Sequence, residues 1–206
     1  GAVMVVFGGI WTAIQDDLKR AFGFAALVET GISLLAIGLA PNGGLSLLLM
    51  ALPARGLGYW FWGYVLTRME NHCDDLKMEA MRDCAKKAPF LSLGLLFAQL
   101  SIAGLPMLAS FPIKMELFTM AISLNTSLGF WSFVGNLGLF LFSIRLLLNA
   151  VANPSEDVNM VRFKIEKTKV YLPILLTIIT LALFGLFPNA FLFWLTDLLE
   201  AFPQLQ

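Results

Sequence analysis

The chain has 206 residues, of which 58% are hydrophobic and only 14% are charged, and its mean hydropathy is +0.79. A soluble domain of this length carries far more charge, so the composition excludes that class and predicts an integral membrane protein. Because 14 basic residues balance 14 acidic ones and lie in short clusters, we expect no nucleic-acid partner. The chain opens directly in an apolar run and has no Met at position 1, so we interpret it as a fragment of a longer polypeptide.

Six apolar runs predict an all-α polytopic membrane protein, a single transmembrane domain with about six transmembrane helices embedded in the lipid bilayer. The runs are residues 1–14, 21–40, 45–67, 89–124, 130–152 and 170–187 of the 206. The segments outside them predict a polar loop with a short surface helix at 68–87, a basic loop at 153–169 and an amphipathic interfacial tail at 188–206.

The basic residues are distributed unequally between the two sides of this predicted bundle. Eleven of the 14 Lys and Arg lie in segments 15–20, 68–87 and 153–169, which share one side if each apolar run crosses once. The opposite turns, at 41–44 and 125–127, contain none. The positive-inside rule therefore predicts a multi-pass protein of the inner cell membrane with its basic loops in the cytoplasm.

The fourth apolar run is interrupted by Gly104, Pro106 and Pro112. As one straight helix its 36 residues would reach about 54 Å, whereas the hydrocarbon core is about 30 Å thick. Each proline also leaves the carbonyl four residues earlier, at Ile102 and Leu108, without a helical amide. In a membrane such carbonyl oxygens must accept hydrogen bonds from other protein groups or from water, so the run predicts a broken helix.

Five charged residues lie inside predicted helices: Glu29, Arg55, Lys114, Glu116 and Arg145. Four of the helices thus carry a charge about 12–16 Å from a helix end, and such charges usually pair and mark an ion or proton path. Arginine stays protonated, so only the glutamates and the lysine could carry a proton, and the two arginines would tune them. The start of a half-helix near Pro112 would favour proton release from the lysine.

Two other interpretations of these charges stay open. The fourth run could be a proline-kinked helix in which Lys114 and Glu116 pair with each other or reach the membrane surface. The intramembrane charges could also be static ion pairs, such as Glu29 with an arginine, that hold the helices together.

The polar loop contains His72, Cys73 and Cys84, whose spacing fits no usual metal site. We therefore expect no metal, and the chain has no motif for a redox cofactor. If the loop is helical, the two cysteines lie about three turns apart, too distant for a disulfide, and cytoplasmic thiols are normally reduced.

Two segments resemble one known family. QDDLKRAFGFAALVETG at 15–31 and LSIAGLPMLASFPIKMELF at 100–118 are similar to the antiporter-like membrane subunits of respiratory complex I, Mrp-type cation/proton antiporters and membrane-bound hydrogenases. In that family an Asp-(Leu/Ile)-Lys-Arg turn leads into a helix, and an Ala-Gly-Leu-Pro-Pro run precedes Phe-x-x-Lys in a broken helix. The resemblance implies that the chain is the C-terminal part of a member, about one inverted-repeat half plus a final helix.

The resemblance also implies roles for particular residues. Lys114 falls on the broken-helix lysine or glutamate that transfers protons, which makes it the central titrating group. Arg55 falls where many members have the buried lysine of a His-x-Phe-Phe-Lys-Ala-Leu run, and here Pro53 intrudes while that histidine and lysine are missing. Glu29 lies near a position that is more often polar and uncharged, so the chain is a divergent member.

The expected function is that of an ion-translocating subunit, driven by other membrane subunits of a respiratory complex and without a redox centre of its own. Lys114, Glu116 and Glu29 would move H⁺, with Na⁺ as the alternative ion. A subunit of an Mrp-type antiporter or a membrane-bound hydrogenase, a non-conducting structural subunit and a stand-alone anion transporter are the other hypotheses.

Overall fold

The computed structural model of the chain describes residues 1–71, 73, 75–151 and 167–187, with side chains from 171 in the last range. Within these ranges the backbone forms α-helices and no strand, apart from one isolated bridge between Asp17 and Lys77. The helices are α1 (Ala2–Ile14), α2 (Leu18–Gly38), α3 (Gly44–Glu70), α4 (Met81–Lys87), α5 (Pro89–Ala103), α6 (Phe111–Leu124), α7 (Thr126–Val151) and α8 (Lys167–Leu186). Of these described helices, α2 and α7 are long and apolar enough to cross a membrane.

Two helices begin earlier than predicted because a polar side chain caps each of them. The carboxylate of Asp17 accepts the amides of Lys19 and Arg20 at 2.8 and 3.1 Å, so α2 starts at Leu18 instead of residue 21. The amide oxygen of Asn125 accepts two amides at the start of α7 in the same way. The predicted turn at 125–127 is therefore reduced to this one residue.

Some predictions fall on residues that the structure does not describe. Most of the basic loop at 153–169, the whole tail at 188–206 and His72 lie outside the described residues. The part of the basic loop that is described, 167–169, belongs to α8. This helix therefore starts three residues before the predicted start, and the prediction of a loop at these three residues was wrong.

The polar loop after α3 turns back on itself instead of forming one helix. Of the described residues that follow α3 in this loop, Met81–Lys87 are helical, and Lys77 forms the bridge to Asp17 in the α1–α2 turn. This reversal brings the Cα atoms of Cys73 and Cys84 to 5.6 Å, and a disulfide joins the two residues. The prediction that they are too distant was wrong because it assumed a continuous helix.

Several polar connections meet at one end of the bundle, which we call the polar end. The amide of Leu18 donates to the Leu76 carbonyl at 3.0 Å, and the amide of Met78 donates to the Asp16 carbonyl at 2.7 Å. The C-terminal half of α7 reaches the same end, where Arg145 pairs with Asp16 at 2.6 Å. The α1–α2 turn, the polar loop and the end of α7 are therefore neighbours in space.

Helices α1 and α7 touch backbone to backbone through glycines. A Cβ atom added to Gly9 would lie 1.8 Å from the carbonyl oxygen of Gly135, and one added to Gly138 would lie 2.1 Å from the carbonyl oxygen of Gly9. Small residues let helices approach this closely in membranes. The contact places α7, which carries part of the site described below, against α1 and α2.

We expect Gly9→Ala to destabilise the intact subunit by about 1–3 kcal/mol, because the added methyl forces α1 and α7 apart. Gly23→Ala is the matched control, since nothing lies within 4 Å of that position. Thermal unfolding of the detergent-solubilised subunit measures both variants. Equal stability of the two would contradict the close α1–α7 contact.

Candidate functional site

The site is built where the chain breaks between α5 and α6. Gly104 ends α5 in the left-handed region at φ 84°, and its amide donates to the carbonyls of Leu100 and Ser101 at 3.1 and 3.3 Å. Met107 also has a positive φ, 75°, which is unusual for a residue with a side chain. Helix α6 then begins at Phe111, with Pro112 in its first turn. Backbone amides in the first turn of a helix have no helical acceptor, so the missing amide of a proline costs no hydrogen bond there.

Lys114 lies buried in the gap that this break creates, with 6% of its surface exposed. Its ammonium donates to the carbonyl of Ile102 at 2.6 Å and to Oδ1 of Asn136 at 3.0 Å, and it pairs with Oε1 of Glu29 at 2.5 Å. Ile102 is the residue whose carbonyl Pro106 leaves without a helical amide. The lysine thus satisfies the backbone at the break and is itself surrounded by three acceptors.

Glu29 connects the lysine to a second cation. It is 2% exposed, and its Oε2 pairs with Nε of Arg55 at 2.9 Å. Arg55 also donates to the hydroxyl of Ser33 at 2.6 Å, and that hydroxyl donates to the Glu29 carbonyl at 2.8 Å. One carboxylate therefore lies between two cations, and it joins helices α2, α3 and α6.

Asn136 of α7 is the member of the site that the sequence analysis missed. Besides accepting from Lys114, its Nδ2 donates to the Ala103 carbonyl at 2.9 Å, the last residue of α5. The available signal was an amide side chain in the middle of an apolar, glycine-rich helix, where a polar group needs a partner. Lys114, Glu29, Arg55, Ser33 and Asn136 together are called the Lys114 cluster below.

A small cavity adjoins this cluster. Its volume is about 20 Å³, enough for one water molecule, and its polar lining comes from Glu29, Arg55, Ser110 and Lys114. The rest of the lining is apolar and comes from α2, α3 and α6. The cavity is therefore a mainly apolar space at the edge of the cluster.

A glycine is required at position 104 by the lack of space for a side chain as well as by the backbone conformation. A Cβ atom at this position would lie 3.2 Å from Cδ of Lys114, tighter than ordinary van der Waals contact. A side chain there would press on the lysine stem as well as strain the backbone.

Two residues predicted for the site lie elsewhere. Glu116 is exposed, because two residues of α-helix turn it about 200° away from Lys114, and Lys114 pairs with Glu29 instead. Arg145 lies at the polar end, where it donates to the carbonyls of Ala13 and Gln15 as well as to Asp16. Arg145 therefore lies outside the group of buried charges, with partners at the end of α1 and in the α1–α2 turn.

The model of one protein family, described as NADH:quinone oxidoreductase/Mrp antiporter, TM, matches residues 1–140. The chain belongs to this family. The matched range includes α1 to α6 and the part of α7 that carries Asn136, so it contains the whole Lys114 cluster. Because the family is transmembrane, the chain is a membrane protein.

Relatives of the chain are similar in sequence over most of its length. It is 26% identical to NADH-quinone oxidoreductase subunit N of Cytophaga hutchinsonii over 93% of this chain and 41% of the relative. It is 35% identical to NADH-quinone oxidoreductase subunit 14 of Thermus thermophilus over 53% of this chain and 25% of the relative. The chain thus spans less than half the length of these relatives.

Solved structures have the same fold. A chain of respiratory complex I from Thermus thermophilus with bound NADH matches with a TM-score of 0.83 at 22% identity, over 99% of this chain and 43% of that one. A chain of the same organism's complex I with bound aureothin matches with a TM-score of 0.69 at 25% identity, over 91% and 42%.

Glu29→Gln should destabilise the intact subunit by about 3 kcal/mol, because the buried Lys114 and the half-buried Arg55 would then lack a counter-charge. Glu116→Gln is the control, since it removes the same charge from an exposed position. The thermal unfolding midpoints of the two variants measure the difference. Equal midpoints would show that the buried carboxylate does not hold the cluster together.

Proposed function

We propose that this chain is the proton-conducting part of an antiporter-like subunit in the membrane arm of an NADH-quinone oxidoreductase-type complex. The observation that carries the proposal is the buried ammonium of Lys114 at a helix break, within 3.0 Å of three acceptors and beside a cavity. Buried ionisable groups in membrane helices are costly and are kept where ions or protons move.

The charge balance of the cluster suits a lysine that changes protonation state. With Lys114 protonated, one carboxylate compensates two cations and the cluster carries a net positive charge. When Lys114 releases its proton, Glu29 keeps its ion pair with Arg55 and the cluster becomes neutral. Neither state leaves a carboxylate buried alone, which is the costly situation in a low-dielectric interior. Arginine keeps its charge throughout, so Arg55 holds the carboxylate while the lysine cycles.

The same balance favours H⁺ over Na⁺ as the transported ion. Both oxygens of Glu29 already face a cation, and a sodium ion would have to replace Lys114 or Arg55. A proton needs only the lysine and its neighbours.

In the membrane we place α5 and α6 as one broken crossing within a multi-pass bundle of about six crossings. The polar end, with the basic residues of the polar loop, would face the cytoplasm of the inner cell membrane. The close association of the α1–α2 turn with the polar loop supports a common side for these segments. Electron transfer in other membrane-arm and peripheral subunits would drive the proton movement.

A non-conducting structural subunit is the alternative that a specific observation favours. The ion pairs of Glu29 join α2, α3 and α6, so they could serve only to hold the helices together. The two functions differ in what happens when the lysine charge is removed without loss of volume.

Lys114→Met in the complete complex should lower proton translocation per electron at least tenfold while the amount of assembled complex stays within twofold. The reason is that methionine fills the same space but cannot carry a proton. Acidification of sealed vesicles measures translocation, and native gels measure assembly. Glu116→Gln should leave both unchanged.

Unchanged translocation in the Lys114→Met complex would overturn the proposed function. Loss of the complex from native gels, with normal translocation by the fraction that remains, would support the structural subunit instead.

A further inference from the structure

A groove runs along the outer face of α3 where this helix approaches the polar end. Its volume is about 540 Å³, and among the described residues its lining comes from positions 59–71. The opposite face of the same turns packs into the bundle through Phe61, Val65 and Met69, which are fully buried. The groove shares no residue with the Lys114 cluster, and we call it the α3 groove.

Three side chains spaced four residues apart form one wall of the α3 groove. The ring of Trp60 stacks on that of Tyr64, with centroids 5.7 Å apart and planes 18° from parallel. The guanidinium of Arg68 lies over the Tyr64 ring, 5.3 Å from its centroid, where a cation is attracted by the ring face. The wall therefore offers aromatic surface along its length and a positive charge at the polar end.

The space in the groove is left by Gly63. Nothing in the described chain lies within 4 Å of a Cβ atom built at this position. Trp60 and Thr67, which flank it on the same face, are exposed. A larger side chain at position 63 would therefore fill the groove without pressing on the rest of the bundle.

Charge and depth together select the kind of ligand that fits. Arg68 is the one charged residue among the described residues that line the groove. The carboxylate of α3, Glu70, pairs with Lys19 of α2 instead. Trp60 precedes Arg68 by eight residues, about 12 Å along the helix, so the wall reaches from the headgroup level of a membrane into its hydrocarbon. A free anion would use only the Arg68 end, whereas a phospholipid would use both ends.

We propose that the α3 groove binds an anionic phospholipid, with its phosphate at Arg68 and an acyl chain along Tyr64 and Trp60. A guanidinium that stacks on a ring uses its flat face, whereas its N–H donors lie at its edge and match phosphate oxygens. Aromatic rings at the membrane interface pack against lipid while staying near the headgroups. The inference needs only the membrane location of the chain, and it involves no proton movement.

The experiment uses the complete complex in phosphatidylcholine vesicles that contain a photoactivatable phosphatidylglycerol or, at equal content, the matching photoactivatable phosphatidylcholine. After illumination, mass spectrometry measures the lipid label on residues 59–71 of this chain. We expect the phosphatidylglycerol probe to label this segment at least fivefold more than the phosphatidylcholine probe. Arg68→Gln, which removes the charge, and Gly63→Leu, which fills the groove, should each bring this ratio to within twofold of one.

Each of these variants has a matched control. Arg20→Gln removes an exposed positive charge at the polar end outside the groove. Gly56→Leu adds the same side chain to α3 seven residues earlier, where a Cβ atom also meets nothing within 4 Å. Both controls should keep the ratio at fivefold or more. Lys114→Met should keep it as well, so that loss of proton translocation and loss of lipid selectivity are separate results.

A ratio near one in the unmodified complex would show ordinary lipid contact only and would overturn the site. Equal ratios in Gly63→Leu and Gly56→Leu would overturn it too, and this comparison decides if Arg68→Gln does not assemble. Absence of label from both probes would show that the groove is covered by protein in the complex, which would also overturn the proposal.

Discussion

The structure depends on the insertion of the Lys114 ammonium into the gap between α5 and α6. The break exposes backbone carbonyls that a lipid environment cannot satisfy, and the lysine and Asn136 bind two of them, at Ile102 and Ala103. The lysine charge in turn needs Glu29, which α2 supplies. The same few contacts thus satisfy the free backbone carbonyls, neutralise the lysine charge and join the helices.

The surrounding helices hold this arrangement in place. Helix α8 packs against the break, since a Cβ atom at Gly185 would lie 2.3 Å from the carbonyl oxygen of Met107. The glycine contact between α1 and α7 includes Gly135, the residue before Asn136, and so helps to position that side chain. Since the Gly185 contact lies against the backbone of Met107, packing of α8 supports the positive φ that a residue with a side chain rarely adopts.

Arg55 distinguishes this chain from a relay made only of lysines. A second lysine could lose its proton and leave Glu29 without a cation, whereas an arginine remains charged. Under the proposed function, the Glu29–Arg55 pair stays intact and Lys114 is the group whose charge changes. This pair then sets the electrostatic background in which Lys114 gains and loses its proton.

The sequence by itself determined the membrane class, the approximate positions of the helices and the presence of Lys114, Glu29 and Arg55 as charges inside helices. Length, apolar runs, prolines and intramembrane charges are local properties, and each is read from a short segment. Only the tertiary structure decided which charges meet. It separated Glu116 and Arg145 from the cluster, added Asn136 and brought Cys73 to Cys84, because these outcomes depend on helix rotation, on the reversal of a loop and on contacts between residues far apart in the chain.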